Sequence, residues 1–227
     1  MTLIDISGPI YTGMWHYGRP FLDLPIPPVR IDQVDFPPPI KGTLIADYLQ
    51  MASQTGTYLE TARHVDASRD AIDVVPLERA WMVPTVVLHA PKDARGKVTL
   101  AEAKRSLDRQ AITIDPGDCV LIHTGWDREW RNPERYLTEM PYLSRDVVFW
   151  LLELRIGIFG ADTPRADSPD DPQDFFPDFF RSDTLLLAPV VNLDQVQGGP
   201  HKARLCALPL PLDGACASPV RAVLVTS

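Results

Sequence analysis

Side chains capable of acid–base chemistry lie close together in SQTGTYLETARH, residues 53 to 64. A histidine has an ordinary pKa of about 6.5, so His64 can accept or donate a proton near neutral pH. Glu60 can orient or charge-stabilise that imidazole, and Tyr58 can donate a hydrogen bond to a developing oxyanion. We predict that these three residues are catalytic and that Gln54 binds substrate. An isolated His or Glu is more often structural than catalytic, so a structural role stays open.

The spacing of this segment resembles the signature of the cyclase and kynurenine-formamidase-like family, His-x-Gly-Thr-His-x-Asp-x-Pro-x-His. The alignment runs without a gap around the shared Gly-Thr pair, and the last His of the signature is His64. Other signature positions are substituted: Gln54 and Tyr58 replace the first two His, Glu60 the Asp, and Ala62 the Pro. ISGPIYTGMW, PGDCVLIHTGW, GADTPRAD and LPLPLDGACASPVRAVLV also resemble family segments, in the family's order. The chain is identified as a divergent member with a degenerate metal-ligand motif.

The resemblance bears directly on metal binding. In the family the first two His and the Asp bind a divalent metal, and the last His acts as a general acid or base beside it. An amide is a weak ligand, and a tyrosine binds a metal well only after losing a proton near pH 10. The family's second ligand group, a His and a Glu, is missing from residues 175 to 196, which contain neither. We predict no metal and no cofactor, with a divalent metal such as Zn or Mn as the alternative.

Aromatic and imidazole side chains elsewhere are candidates for substrate binding. Trp15, His16 and Tyr17 follow a Gly-Met turn in a segment that the family places near the substrate, where aromatic faces can stack on a flat ring. His123 and Trp126 stand at the end of a predicted buried strand, and such ends commonly face sites. We predict that all of these bind substrate, although Trp15 and His123 suit a buried structural role equally well.

The second half of the chain contains further charged and aromatic candidates. Asp162 and Asp167 in GADTPRAD can bind a cation or cap a loop, and capping is the commoner use of Asp. Arg221 is a lone cation within an apolar run, which predicts an ion pair with a buried carboxylate. A phenylalanine cluster is too apolar for a free loop and is expected to cover the site or a subunit interface. Its members are Phe175, Phe176, Phe179 and Phe180.

The elements that position these side chains follow from apolar periodicity. Apolar runs predict strands at 3 to 7, 85 to 90, 118 to 125, 156 to 162, 185 to 193, 203 to 210 and 219 to 226. Helical spacing predicts helices at 99 to 110, with a Thr99 and Glu102 capping box, and at 143 to 155, with Ser144 as cap. The resemblance implies a swivelling β/β/α domain, so we expect an α/β fold with a mixed sheet and flanking helices.

Length, charge and cysteine content bound the class of protein. A chain of 227 residues with 45% apolar residues suits one domain, predicted over 1 to 227. A net charge of -8 repels phosphate backbones and anionic surfaces, which argues against nucleic-acid and membrane partners. No secretion signal or membrane span is evident, and Cys119, Cys206 and Cys216 suit buried thiols. We therefore expect a cytoplasmic protein.

These observations predict an enzyme acting on a small-molecule substrate, and three functions stay open. The first is a metal-independent acid–base enzyme, a cyclase, dehydratase or isomerase, acting on a carbonyl-bearing cyclic or aromatic metabolite, as in natural-product biosynthesis. The second is a hydrolase of an amide, formamide or lactone. The third is a non-catalytic binding protein on the same fold. The resemblance also implies a homo-dimer or tetramer in which a neighbour contributes residues near each site.

Overall fold

The fold is built from strands, most of them in one sheet, and short helices. The computed structural model describes residues 1–19, 23–34, 45–168, 170–196 and 201–226. The strands within these ranges are β1 (Thr2–Asp5), β2 (Arg30–Val34), β3 (Ala46–Gln50), β4 (Tyr58–Glu60), β5 (Trp81–His89), β6 (Lys97–Val98), β7 (Cys119–His123), β8 (Tyr142–Leu143), β9 (Ile158–Ala161), β10 (Leu185–Ala188), β11 (Ala203–Cys206), β12 (Ala217–Pro219) and β13 (Val223–Thr226). The α-helices are α1 (Leu100–Asp108), α2 (Pro133–Thr138), α3 (Arg145–Glu153) and α4 (Phe176–Arg181). Short 3-10 helices lie at Ala62–His64, Ile72–Val74, Leu77–Arg79, Trp126–Glu129 and Leu193–Gln195.

A sheet of nine strands carries the site, in the order β1-β13-β11-β5-β7-β9-β10-β4-β12. Its centre, β5-β7-β9-β10, is parallel, and the other neighbours pair antiparallel. Parallel neighbours need crossover connections, which contain α1 between β5 and β7, α3 between β7 and β9, and α4 between β9 and β10. The predicted α/β fold with a mixed sheet and flanking helices is confirmed. Two smaller two-stranded sheets, β2-β3 and β6-β8, form separately.

Alternation along the central strands divides the apolar side chains between two cores. On one face, Leu88 and Ile122 pack in a cluster with Leu151 of α3. On the other face, Val87 and Leu121 join side chains from β1, β4, β11 and β13. Strands from distant positions in the sheet share this second core because the sheet is curled.

The predicted elements are present with small corrections. Each predicted strand segment contains a strand, and α1 has the expected capping box: Thr99 N donates to Glu102 Oε2 at 2.9 Å, and Glu102 N to Thr99 Oγ1 at 3.4 Å. Ser144 does precede α3, but its side chain makes no capping hydrogen bond, so that prediction is wrong. Gln173 Oε1 accepts the hydrogen bond from Arg145 N instead, at 3.3 Å.

The ion pair of Arg221 also differs from the prediction. Arg221 contacts Asp5 at 2.6 Å, but the side chains are 77% and 41% exposed, so the expected buried carboxylate is wrong. The physical reason is that the apolar run 219 to 226 is interrupted between β12 and β13, where Arg221 extends into solvent. In the described ranges, no helix has both the length and the apolar character that a membrane span requires.

Candidate active site

A cavity of about 420 Å³ lies beside β4, α4 and the carboxyl ends of β9 and β10. Its wall includes Tyr17, Gln54, Tyr58, Glu60 and His64, which are all predicted site residues. Much of the remaining wall is apolar, including Ile26, Phe159, Phe176, Phe180, Leu186 and Ala188. A mostly apolar cavity with a few converging polar groups is typical of a small-molecule site.

Strand β4 carries two of the catalytic candidates. It lies between β10 and β12, with Tyr58 opposite Ala188 and Glu60 opposite Leu186. Side chains alternate along a strand, so Tyr58 and Glu60 share the cavity face while Leu59 packs in the opposite core. The three-residue length of β4 is therefore enough to place a phenol and a carboxylate side by side.

The Gly-Thr turn before β4 is held on both sides. Gly56 has a φ of +65°, a region that favours glycine, and a Cβ there would lie 2.8 Å from Cγ1 of Ile10. The hydroxyl of Thr57 accepts a hydrogen bond from Gly8 N at 2.9 Å and donates one to Pro189 O at 2.6 Å. These contacts fix where β4 starts.

Glu60 and His64 form the central pair of the site, with 3.1 Å between Oε1 and Nδ1. The Glu60 side chain is 3% exposed, whereas that of His64 is 47% exposed. Burial raises the pKa of Glu60, and the charge of His64 and a hydrogen bond from Gln54 oppose this rise. A buried carboxylate can hold the imidazole in one orientation and stabilise it when it takes up a proton.

Gln54 is oriented by its own hydrogen bonds. Its Nε2 donates to Glu60 Oε1 at 3.0 Å and to the Cys216 sulfur at 3.4 Å, and its Oε1 accepts a hydrogen bond from Ser53 Oγ at 2.9 Å. The reverse orientation would set the amide oxygen against the carboxylate, acceptor to acceptor. The predicted substrate-binding residue therefore also supports the central pair.

Tyr58 and Tyr17 meet at the inner side of the cavity, with 3.4 Å between their hydroxyl oxygens. Tyr17 Oη donates to Pro164 O at 2.6 Å, so Tyr58 is the donor in the contact between the two phenols. Burial raises the pKa of both tyrosines well above their usual range. Both are therefore neutral hydrogen-bond donors at physiological pH.

Other predicted substrate-binding residues lie outside the wall of this cavity. Trp15 is 1% exposed and packs edge-on against Tyr17, with 5.6 Å between ring centroids. His16 is buried, and its Nδ1 accepts a hydrogen bond from Gly18 N at 3.0 Å. Trp126 is fully buried in the same aromatic cluster as Trp15. Their contact with substrate stays a prediction, and Trp15 supports the site through Tyr17.

His123 also lies outside this cavity wall, at the end of β7. Its Nδ1 is 2.9 Å from Nδ1 of His89, and His89 Nε2 is 3.0 Å from Val196 O. Since a carbonyl can only accept, His89 donates from Nε2 and His123 donates from Nδ1 to His89. Burial lowers the pKa of both imidazoles, which suits a neutral structural pair. Substrate binding by His123 stays a prediction.

Asp162 caps the loop after β7, which confirms the predicted capping role. Its carboxylate accepts hydrogen bonds from Thr124 N and Oγ1 and from Gly125 N, at 2.6 to 3.0 Å. Burial raises the pKa of Asp162 to about 7, although these hydrogen bonds lower it. Asp162, His123 and Asp127 place possible ligand atoms within 4.8 Å of one another, but both Asp162 oxygens are already engaged.

Of the three signature positions that bind metal in the family, only the one occupied by Glu60 still carries a good ligand. The neutral phenol of Tyr58 is a poor ligand. Glu60, His64 and Cys216 do place ligand atoms within 4.8 Å of one another. Between two of them, however, lies the amide nitrogen of Gln54, a donor, and burial raises the pKa of the Cys216 thiol. In this arrangement the residues do not fit a divalent cation, and the absence of a metal stays a prediction.

The cavity wall also contains part of the phenylalanine cluster, which was expected to cover the site or a subunit interface, and one residue to which the sequence assigned no role. Phe176 and Phe180 of the phenylalanine cluster line it, and the rings of Phe180 and His64 lie 5.6 Å apart. Arg165 lines it as well, directly after β9. A cation just beyond the end of a buried strand is a signal that could have identified Arg165. Cys216 carries no such signal in its surrounding sequence.

Comparison with known proteins extends these observations. The sequence profile described as "Putative cyclase" matches residues 4–168. A kynurenine formamidase from Geobacillus thermodenitrificans is 28% identical over 185 residues, which cover 81% of each chain. Isatin hydrolase A from Ralstonia solanacearum superposes with a TM-score of 0.84 at 20% identity, covering 100% of this chain and 92% of that one. A structure described as a potential metal-dependent hydrolase with cyclase activity gives 0.72 at 19% identity, covering 98% and 96%.

These matches agree with the geometry of the site. The profile match spans the whole of β4 and the pair formed by Glu60 and His64. The curated relative is a hydrolytic enzyme, so the alternative of a non-catalytic binding protein is not supported. The chain therefore belongs to the cyclase family and is an enzyme of that family.

Proposed function

We propose that the chain is a metal-independent hydrolase that cleaves a cyclic or aromatic amide, formamide or lactone. The observation that carries this proposal is the 3.1 Å contact between Glu60 and His64 in the wall of an apolar cavity. The similarity to a kynurenine formamidase and to the fold of an isatin hydrolase supports hydrolysis of a carbonyl compound next to an aromatic ring.

His64 acts as the general base in this proposal. Its Nδ1–H donates to Glu60, which leaves Nε2 as the proton acceptor. Nε2 takes a proton from a water molecule while the water oxygen bonds to the substrate carbonyl carbon. The imidazolium that forms is stabilised by the buried Glu60 carboxylate.

Tyr58 supplies the hydrogen bond to the oxyanion. Its proton is directed at the Tyr17 oxygen across 3.4 Å, a long contact that a substrate oxygen can replace. When the tetrahedral intermediate collapses, the bond from carbon to nitrogen or ring oxygen breaks, and His64 returns its proton to the leaving atom. The products are a carboxylic acid and an amine or alcohol.

Without a metal to activate water, the proposed mechanism restricts the class of substrate. A metal lowers the pKa of bound water to about 7, an advantage that an imidazole cannot match. General base catalysis contributes roughly 10²- to 10⁴-fold, so we expect a carbonyl that is already reactive, such as a strained lactam, a lactone or an N-formyl arylamine.

Ring closure, dehydration or isomerisation is the second candidate. The replacement of the metal ligands favours it, because removing a C–H proton beside a carbonyl requires a base and an oxyanion donor but no activated water. Glu60, His64 and Tyr58 offer these groups. Hydrolysis is preferred because the relatives compared above are hydrolases.

Turnover of isatin, an N-formyl arylamine and an aryl lactone in ¹⁸O-labelled water tests the proposal. We expect one labelled oxygen in the product acid, and a loss of about 10²- to 10⁴-fold in kcat for His64→Ala. Arg204→Gln, at an exposed position of β11, is the matched control and should keep full activity. A product without label, or full activity of His64→Ala, would contradict hydrolysis by this pair.

Metal analysis separately tests the proposal that the enzyme works without a metal. We expect the purified enzyme to contain no stoichiometric transition metal and to keep its activity after chelation. If a stoichiometric metal is lost together with activity, metal independence is wrong. Cys216→Ser then shows whether the thiol is a ligand, because the metal content would fall in that variant.

A further inference from the structure

Resting on the proposed function, we propose that Arg165 binds a carboxylate of the substrate or of the product acid and so selects for anionic ligands. Arg165 is half-buried and lines the same cavity as Glu60 and His64. No sequence motif assigned it a role.

The backbone around Arg165 is held firmly. Thr163 Oγ1 donates to the carbonyl of Arg165 at 2.8 Å, and Tyr17 Oη donates to the carbonyl of Pro164 at 2.6 Å. The segment follows directly from the buried strand β9. A side chain on such a segment is presented to the cavity from a fixed position, as a recognition residue requires.

The guanidinium of Arg165 has no hydrogen-bond or ion-pair partner among the described residues. The carboxylate that shares its cavity, Glu60, is already engaged by His64 and Gln54. Arg165 lines the same cavity as Tyr17 and Tyr58, and its positive charge opposes the rise that burial causes in the pKa of Tyr17. The wall thus contains a cation that the protein itself does not neutralise.

The surroundings of this cation strengthen its attraction for an anion. Phe159, Phe176 and Phe180 contribute apolar wall, and charge interactions are stronger in a less polar medium than in water. A guanidinium matches the two oxygens of a carboxylate with parallel hydrogen bonds. The chemistry that fits is a flat aromatic body with a carboxylate.

Benzoate and benzamide are the probes for this proposal, because they share a ring and differ in charge. Calorimetric titration at pH 7 should show that the wild-type chain binds benzoate more tightly than benzamide. Arg165→Gln should weaken benzoate binding by about tenfold or more and leave benzamide unchanged, with Arg165→Lys in between. Arg204→Gln removes one exposed charge and serves as the matched control.

Any of three results would overturn the proposal. The wild-type chain and Arg165→Gln bind benzoate with equal affinity, the wild-type chain binds benzoate no more tightly than benzamide, or it does not bind benzoate. Binding is also measured in a His64→Ala background, which needs no turnover. Loss of the charge preference there contradicts the role of Arg165, whereas failure of hydrolysis with the preference intact contradicts only the proposed function.

Kinetics then separate the two sources of the carboxylate. If the substrate carries it, Arg165→Gln raises KM for 3-formamidobenzoate but not for formanilide. If it arises in the reaction, the variant leaves both KM values unchanged and weakens inhibition by benzoate. No change in any of these quantities would overturn the proposal.

Discussion

Glu60 is nearly buried, so its protonation is coupled to folding as well as to catalysis. Its pKa is raised by burial above the ordinary value near 4.5. At a pH between the ordinary pKa of the unfolded chain and the raised pKa of the folded chain, the folded chain binds more protons than the unfolded chain. Stability from this group is therefore present below about pH 4.5 and is lost as pH rises through the folded pKa.

Because the wild-type chain loses this stability as pH rises, we predict that Glu60→Gln gains stability relative to the wild-type chain from pH 4.5 toward neutrality. Urea unfolding at a series of pH values measures the difference in unfolding free energy. Glu153→Gln, at an exposed position near the end of α3, is the control and should run parallel to the wild-type chain. A difference that grows instead toward acidic pH would show that the pKa of Glu60 is lowered.

The two buried phenols differ in what their hydroxyls do, and this leads to a second prediction. Tyr58→Phe removes the proposed oxyanion donor and should lower kcat by about 10²-fold with little change in KM. Tyr17→Phe removes a hydroxyl that donates to Pro164 O, so it should cost less in kcat. Steady-state kinetics of both variants give the comparison. Equal kcat values would contradict the assignment of Tyr58.

At the scale of elements, substitution of the glycine in the turn before β4 should cost more stability than its positive φ alone implies. Gly56 and Gly214 have nearly equal φ values, +65° and +68°, but only a Cβ at Gly56 would meet an atom within 4 Å, in the side chain of Ile10. Each Gly→Ala change forces alanine into the left-handed region at a cost of about 1 to 2 kcal/mol. Gly56→Ala additionally overpacks Ile10.

We therefore predict that Gly56→Ala lowers the unfolding free energy by about 1 to 3 kcal/mol more than Gly214→Ala does. Denaturant unfolding measures both variants, and the difference isolates the packing contribution because the backbone strain is matched. Equal losses would show that Ile10 moves aside freely.

At the scale of the whole molecule, the sheet β2-β3 stands apart from the main sheet. An isolated two-stranded sheet is marginally stable by itself. Ile31 and Leu49 are paired across it and are 36% and 54% exposed. We keep the proposal of a homo-dimer or tetramer, together with one domain over 1 to 227, and infer that this sheet contacts a second copy.

Leu49→Lys should accordingly shift the chain toward monomer, because a charge placed in an apolar contact is costly to bury. Light scattering coupled to size-exclusion chromatography measures the mass. Leu3→Lys, at another exposed leucine on β1, is the control and should leave the mass unchanged. A monomeric wild-type chain would contradict the proposal directly.

Local sequence determined much of this protein. Continuous apolar runs identified the central strands, and Thr99 with Glu102 identified the start of α1, because burial and capping depend on neighbours within a few residues. The contact between Glu60 and His64 was predictable for the same reason. Among the strands that were not predicted, β2 has prolines on both sides along the chain, and β4 has three residues, too few to show a periodicity.

Only the tertiary structure decided which distant side chains meet. Tyr58 contacts Tyr17, Gln54 contacts Cys216, and Arg165 shares the cavity with residues encoded about a hundred positions earlier. Trp15 and Trp126, which are far apart in sequence, lie in one buried aromatic cluster. The physical reason is sheet order: β4 pairs with β10 and β12, and the pattern of a single strand specifies its buried face but not its neighbours.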